Sequence, residues 1–312
     1  MVRPATAAPE RKAMFDKIVI VEPVLITDEG RDSLYRYARQ VVAYDTCCRD
    51  DAETIERIGD ADCILVSYRT VISGHVLENC PKLRFISLCC SYYGPGHAVV
   101  DTVRAAELGI GFAALQGHGD NGVVEYTLSQ VINLLQGTGP RRWRDQPYDL
   151  TGVRVGILGL GDLGYKTARA FMALGAPVWY YSRTRKKDKE EEQLRYLPLE
   201  DLLATADVLS VHLNRDVCLL DKTTLPLFSP NRILVNTAVG CCCEPQALKK
   251  WLETPDNFYI FDKVSLSPET EALRGLPNVF YADHITGDTR QCYQRATSQI
   301  LNNLDRFLRS HG

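Results

Sequence analysis

The chain has 312 residues, 45% of them apolar, with a net charge of −3 and a pI near 6.1. That length and apolar content suffice for two domains with a core each. The weak charge gives no field for a polyanion, and no run approaches the about 18 apolar residues of a membrane span, so neither nucleic acid nor membrane is an expected partner and a cytoplasmic location is expected.

Residues 1–16 mix Pro, Ala and charges without an apolar run, and read as a loose tail rather than a signal peptide. From Lys17, short β-rich runs at 18–21, 41–44, 63–67 and 85–89 alternate with amphipathic segments, which predicts a parallel sheet with helices on its faces. DNGVVEYTLSQVINLLQ, from Asp120 to Gln136, has an acidic start and helical apolar spacing, and stops at Gly137. The Pro-, Gly- and charge-rich stretch GTGPRRWRDQPYDLTG has the composition of a connector. A second alternating series then starts at Val153 and continues through 178–181, 208–212, 233–236, 258–261 and 279–281, before a closing helix over 289–309. The fold class is therefore α/β, with two doubly wound parallel-sheet domains, the second a Rossmann domain.

The eleven cysteines are odd in number and include no C-x-x-C pair. They read as reduced thiols. Cys47-Cys48, Cys89-Cys90 and Cys241-Cys242-Cys243 are direct neighbours, which a strand would turn to opposite faces, so no metal site is expected.

VRVGILGLGDLG places Gly159, Gly161 and Gly164 in G-x-G-x-x-G spacing between an apolar strand and a helical segment. Gly159 serves the tight turn, Gly161 the close approach of a pyrophosphate, and Gly164 the packing of helix on strand. With Asp162 and Leu163 they form the expected dinucleotide site, completed by the positive end of the helix. The next strand, VWYY, runs into Ser182-Arg183-Thr184-Arg185-Lys186-Lys187 without the acid that would hold a ribose 2′-hydroxyl. Ser182 and Thr184 are hydrogen-bond donors and Arg183 is a fork for phosphate, which predicts NADP(H). From Lys186 onward the charge is cancelled by DKEEE and reads as a solvated loop.

FISLCC, VDTVRAAELGI, GVVEYTLSQVINLL, LTGVRVGILGLGDLG, ADVLSVHL, LFSPNRILVNTAVG and LPNVFYADHITGDT follow one another in an order that resembles the D-isomer-specific 2-hydroxyacid dehydrogenase family. The resemblance implies a flavodoxin-like substrate domain from 1–115 plus 287–312, a cofactor domain over 116–286, an active site between them, and a homodimer. It also implies cofactor contacts at His212, Thr237, Ala238 and Asp262.

Carried over residue by residue, the catalytic set departs from the family. The arginine of N-x-x-R-G, which grips the substrate carboxylate, is Val239 in Asn236-Thr237-Ala238-Val239-Gly240. The glutamate that pairs with the catalytic histidine is Ser267, before Pro268, with Glu269 two residues on. His284 remains in ADHITG as the group that exchanges a proton with the substrate oxygen; Asp283 is expected on the opposite face of the strand. The substrate loop CCSYYGPGHAVVD is longer than usual and adds Tyr92, Tyr93 and His97, as recognition groups or as packing. Lys263 is a candidate for the positive charge Val239 lacks, with a solvated lysine as the plainer reading. Cys241 to Cys243 read as core or cofactor wall ahead of any redox role.

The leading expectation is an NADP(H)-dependent oxidoreductase that reduces a carbonyl, imine or conjugated substrate other than an ordinary 2-oxo acid. The alternatives are a catalytically silent NADP(H)-binding protein, and a D-2-hydroxyacid dehydrogenase whose carboxylate clamp is rebuilt from Lys263, Tyr92 or His97.

Overall fold

The computed structural model describes residues 14–95, 99–191, 193–215 and 217–311, which divide between two compact units. The first unit ends at His118 and resumes at Arg290; the second is Gly119–Thr289.

In the first unit, five strands alternate with helices α1 (Asp28–Ser33), α2 (Asp51–Ile58), α3 (Gly74–Glu78) and α4 (Thr102–Glu107). They are β1 (Phe15–Ile20), β2 (Ala38–Ala43), β3 (Cys63–Val66), β4 (Phe85–Ser91) and β5 (Gly111–Leu115). All pair in parallel in the order β2-β1-β3-β4-β5, the flavodoxin-like order. CILV of β3 is buried at every position, as a central parallel strand covered on both faces must be. β1 begins inside the stretch read as a tail; residues 1–13 lie outside the described ones.

The second unit opens on α5 (Asp120–Gln136), capped by left-handed Gly137, whose N–H donates to the Asn133 carbonyl at 2.9 Å. Seven strands follow: β6 (Val155–Leu158), β7 (Val178–Tyr181), β8 (Leu194–Tyr196), β9 (Val208–Val211), β10 (Ile233–Asn236), β11 (Phe258–Asp262) and β12 (Val279–Ala282). Between them run α6 (Asp162–Ala173), α7 (Leu199–Thr205), α8 (Pro245–Trp251) and α9 (Pro268–Glu271). The sheet is parallel in the order β12-β11-β10-β9-β6-β7-β8. The chain therefore builds outward from β6 on one side and returns at β9 on the other. This places a topological switch point between β6 and β9, where α/β sheets of this kind hold their ligands.

The closing helix, α10 (Arg290–Ser310), returns to the first unit. Its buried residues Cys292, Ala296, Ile300, Leu304 and Phe307 recur every three or four positions and form one stripe. Phe307 stacks on Phe85 at 4.5 Å and on Phe15 at 5.7 Å, so the helix completes the core of the first sheet.

Both unit boundaries fall three residues later than the expected 115/116 and 286/287, for packing reasons. Gln116 exchanges backbone hydrogen bonds with the Gln299 amide at 2.9 and 3.0 Å, and Arg295 donates to the His118 carbonyl at 2.8 Å, which ties these residues to α10. Thr286 to Thr289 instead close on the start of α5, where a side chain at Gly122 would meet the Thr286 carbonyl at 2.4 Å. Among the described residues no helix is long and apolar enough to cross a membrane.

Candidate dinucleotide and active site

Parallel pairing sets the C-terminal ends of the second unit's strands level. Leu158 pairs with Tyr181 and Val211, Asn236 with Val211 and Phe261, and Asp262 with Ala282. The residues just beyond, Ser182, Gly159, His212, Thr237, Lys263 and Asp283, therefore follow one another along one edge of the sheet. Gly159 and His212 flank the switch point.

The three glycines of the turn differ in what surrounds them. Gly159 leaves β6 with φ +100°, and a Cβ there would stand 2.5 Å from the His212 carbonyl oxygen. At Gly164 a Cβ would fall 2.1 Å from the Gly159 carbonyl oxygen, so only glycine lets α6 sit this close to the strand end. Gly161, the N-cap of α6, makes no side-chain cap, and a Cβ there would meet no atom within 4 Å. Open space therefore faces the unbonded amides of a 12-residue helix, the arrangement that takes a phosphate. Leu163 is half-buried behind this turn, and Asp162 is exposed and 3.5 Å from Lys189.

At the end of β7 the Ser182 hydroxyl donates to the Thr184 carbonyl at 3.1 Å and so shapes the turn. Arg185 is committed: it donates twice to Glu190, at 2.7 Å each, and this holds the Glu190 carboxyl at about 2. Thr184 and Arg183 are exposed, and Arg183 has no hydrogen bond or ion pair among the described residues. Of the two arginines in the loop, only Arg183 is uncommitted.

Two buried polar atoms along the edge lack a partner among the described residues, His212 Nδ1 and Thr237 Oγ1. Burying such a group unsatisfied costs about 1–3 kcal/mol, so both are sites where a ligand's polar atom is favoured. The other imidazole nitrogen, Nε2, lies 2.9 Å from Ser210 Oγ, and burial lowers the ring's pKa to about 4. His212 is thus neutral at pH 7. Because its folded pKa lies below the unfolded value of 6.5, the unfolded chain binds the extra proton as pH falls from 6.5 toward 4. Stability is expected to drop across that window by up to about 1.4 kcal/mol per pH unit, and less in a His212→Gln variant. Urea unfolding at pH 7 and pH 5 measures the difference.

Asn236 organises the loop after β10. Its Nδ2 donates to the Gly240 carbonyl at 3.0 Å and its Oδ1 accepts from the Ala238 N–H at 3.1 Å. Ser265 Oγ lies 2.7 Å from the Ala238 carbonyl, and the N–H of Gly240, at φ +82°, donates to the Val264 carbonyl at 3.1 Å. This frame holds Val239, a residue 39% exposed. Ser267, at the position the resemblance gives to glutamate, is the N-cap of α9 in a capping box with Thr270, and donates to Glu269 at 2.8 Å.

Asp262 is buried, and burial raises its pKa even though its Oδ2 accepts from both the N–H and the hydroxyl of Thr286, at 2.9 and 2.8 Å. Together with the Lys263 N–H, which donates to the His284 carbonyl at 3.3 Å, it anchors the segment that carries His284. The Lys263 side chain itself is exposed. The expectation that Asp283 points away from His284 fails because β12 stops at Ala282, so the alternation of a strand no longer applies. Asp283 Oδ1 lies 3.6 Å from His284 Nδ1.

In the first unit, Tyr92 is a packing residue: its hydroxyl lies 3.1 Å from Thr102 Oγ1 and its ring meets Phe112 edge-on at 5.1 Å. Its neighbour Tyr93 is exposed, and His97 lies outside the described residues. Sequence reasoning missed Asn236 and Ser265 as the framework of the loop and Ser210 as the partner of His212. Polar residues that interrupt or end apolar strands, as in LSV and ILVN, were the available signal.

A Rossmann-ordered sheet with a glycine turn at its switch point defines an α/β oxidoreductase fold that binds a nicotinamide dinucleotide. A family model described as D-isomer specific 2-hydroxyacid dehydrogenase, NAD binding domain, matches residues 128–286. The chain belongs to that family. It is 27% identical over 293 residues to a hydroxypyruvate reductase of Blautia hydrogenotrophica, covering 86% of this chain and 89% of that one. It is 28% identical over 278 residues to a glyoxylate reductase of Thermococcus gammatolerans, covering 81% of each. A solved protein from Thermus thermophilus shares the fold with a TM-score of 0.78 at 23% identity, over 94% of this chain and 97% of that one.

Proposed function

We infer that the protein is an NADP(H)-dependent reductase of a small carbonyl, imine or conjugated substrate that is not an ordinary 2-oxo acid. The observation that carries this reading is an open glycine turn on the same sheet edge as a hydrogen-bonded loop that presents Val239 where the family resemblance expects a carboxylate-binding arginine. An exposed apolar side chain cannot pair with a carboxylate, and desolvating that charge beside it is unfavourable.

The nicotinamide, when bound, supplies hydride. The chain's own residues do the rest. The amides at the start of α6 hold the pyrophosphate, with Gly161, Asp162 and Leu163 forming the turn. Arg183 holds the 2′-phosphate, aided by Ser182 and Thr184, while His212, Thr237 and Ala238 line the strand ends against the cofactor. His284 gives a proton to the substrate heteroatom as the reacting carbon is reduced, and Asp283 steadies the imidazole from 3.6 Å. Asp262 positions the histidine through Thr286. In this reading the first unit is the substrate domain and the second the cofactor domain, and the working protein is a homodimer, as the family resemblance implies.

An Arg183→Ala variant is expected to bind NADPH about tenfold more weakly or worse, with NADH affinity nearly unchanged. Fluorescence titration with each cofactor measures both; equal losses would count against a 2′-phosphate contact. Substrate screening by NADPH oxidation with carbonyl and imine panels tests the reductase itself, and His284→Ala is expected to abolish turnover with cofactor affinity retained. Tight NADPH binding with no turnover on any panel member would leave the silent binding protein, a reading that Val239 and Ser267 also favour. Glyoxylate reduction lost in Lys263→Ala would instead favour a rebuilt clamp.

A further inference from the structure

The loop that carries Val239 continues into three consecutive cysteines, and the reading above gives them no task. Cys242 and Cys243 are buried in the core formed with Leu220, Leu248 and Tyr259, as a wall residue would be. Cys241 is only half-buried. Its Sγ lies 3.1 Å from the Cys243 carbonyl oxygen, and Cys242 Sγ lies 3.6 Å from Cys243 Sγ. Both neighbouring thiols are thus held against Cys243, one at its carbonyl and one at its sulfur. The pairing of Cys243 with Leu220 and the 2.8 Å bond from the Glu244 N–H to the Leu220 carbonyl fix the segment from its far side.

We propose that Cys241 is a thiol modification site that reacts with hydroperoxides, with Cys243 as its resolving partner. In the first step the Cys241 thiolate attacks one peroxide oxygen. The O–O bond breaks, the peroxide is reduced to an alcohol or water as the leaving oxygen takes a proton, and Cys241 is oxidised to the sulfenic acid. In the second step the Cys243 sulfur attacks Cys241, the S–O bond breaks, and water leaves with the Cys243 proton. The product is a Cys241–Cys243 disulfide, two residues from Val239.

The cluster divides the two roles. The hydrogen bond with Cys243 outweighs burial and lowers Cys241 to about 7, whereas the same contact pushes Cys243 up. A thiol near 7 is substantially ionised at neutral pH, which is what an attacking sulfur needs. Cys47 and Cys218 are more exposed, yet burial of the sulfur raises both. They are internal controls, because exposure alone predicts that they react first.

The experiment treats the full-length protein, reduced and free of reductant, with one equivalent of hydrogen peroxide at pH 7, in the presence and absence of dimedone. Peptide mass mapping then locates the products. The expected result is a dithiothreitol-reversible loss of two mass units on the peptide holding Cys241 to Cys243, ahead of any change at Cys47 or Cys218. In Cys243→Ser the dimedone adduct on Cys241 is expected to rise at least fivefold, and in Cys241→Ser the disulfide is absent. Oxidation that begins at Cys47 or Cys218, or an adduct yield unchanged in Cys243→Ser, would overturn the proposal. Any effect of the disulfide on turnover rests on the reductase reading, but the mass measurement does not, so the two can fail separately.

Discussion

A Gly164→Ala variant is expected to lose stability and dinucleotide affinity together, whereas Gly161→Ala loses affinity alone. The added methyl at position 164 would sit 2.1 Å from a backbone oxygen, that of Gly159, which has no rotamer by which to move aside. Relief requires α6 to lift from β6 or the turn to shift, and overpacking of this kind costs about 1–3 kcal/mol or more. The same shift moves the helix amides away from the phosphate position, so NADPH affinity should fall about 100-fold, equivalent to about 2.7 kcal/mol. At Gly161 the backbone is at φ −78° and a Cβ meets nothing within 4 Å, so alanine is accommodated by the free protein. On the proposed cofactor site, its methyl would stand in the space the pyrophosphate needs. Thermal unfolding and NADPH fluorescence titration on the two variants separate the effects; wild-type affinity in Gly164→Ala would show that the turn is not the dinucleotide site.

The sequence was most informative where one physical rule acts alone. α5 was legible to the residue because an acidic start, helical spacing and a glycine stop all agree. The central strands of both sheets were legible because burial on both faces makes them continuous apolar runs. β5 and β8 were missed. Each is an edge strand with a neighbour on one side only; GFAAL contains no β-branched residue and LRY is only three residues long, so neither carries a strand signal. At the site, glycine spacing found the turn because steric demands reduce to one residue type. The neighbours of His284 were misjudged because strand alternation was extended one residue beyond the last paired position, Ala282. The contact of the Cys241 thiol with Cys243 was invisible for a related reason: the adjacency of the cysteines in sequence says nothing about a loop that folds its first thiol back onto the third residue's carbonyl.

Val239→Arg is expected to create or strongly raise 2-oxo acid reduction, because the frame around position 239 needs no rebuilding. Asn236, Gly240 and Ser265 fix the backbone on either side, and the bonds that do so involve no atom of the Val239 side chain. With the residue 39% exposed, the position has no tight core to overfill, so the exchange should alter stability by no more than about 0.5 kcal/mol. A charged donor aimed at the developing oxyanion and the carboxylate contributes about 10²–10³ in rate where it has been removed from other enzymes. A gain in kcat/KM of similar size is therefore expected for glyoxylate or hydroxypyruvate with NADPH. Ser267→Glu is the less useful companion, since it breaks the α9 capping box at a cost of about 1 kcal/mol. Steady-state kinetics on wild type and Val239→Arg decide the matter. If the wild type already reduces glyoxylate as well as the variant does, a group other than position 239 holds the carboxylate, and Lys263 becomes the residue to remove.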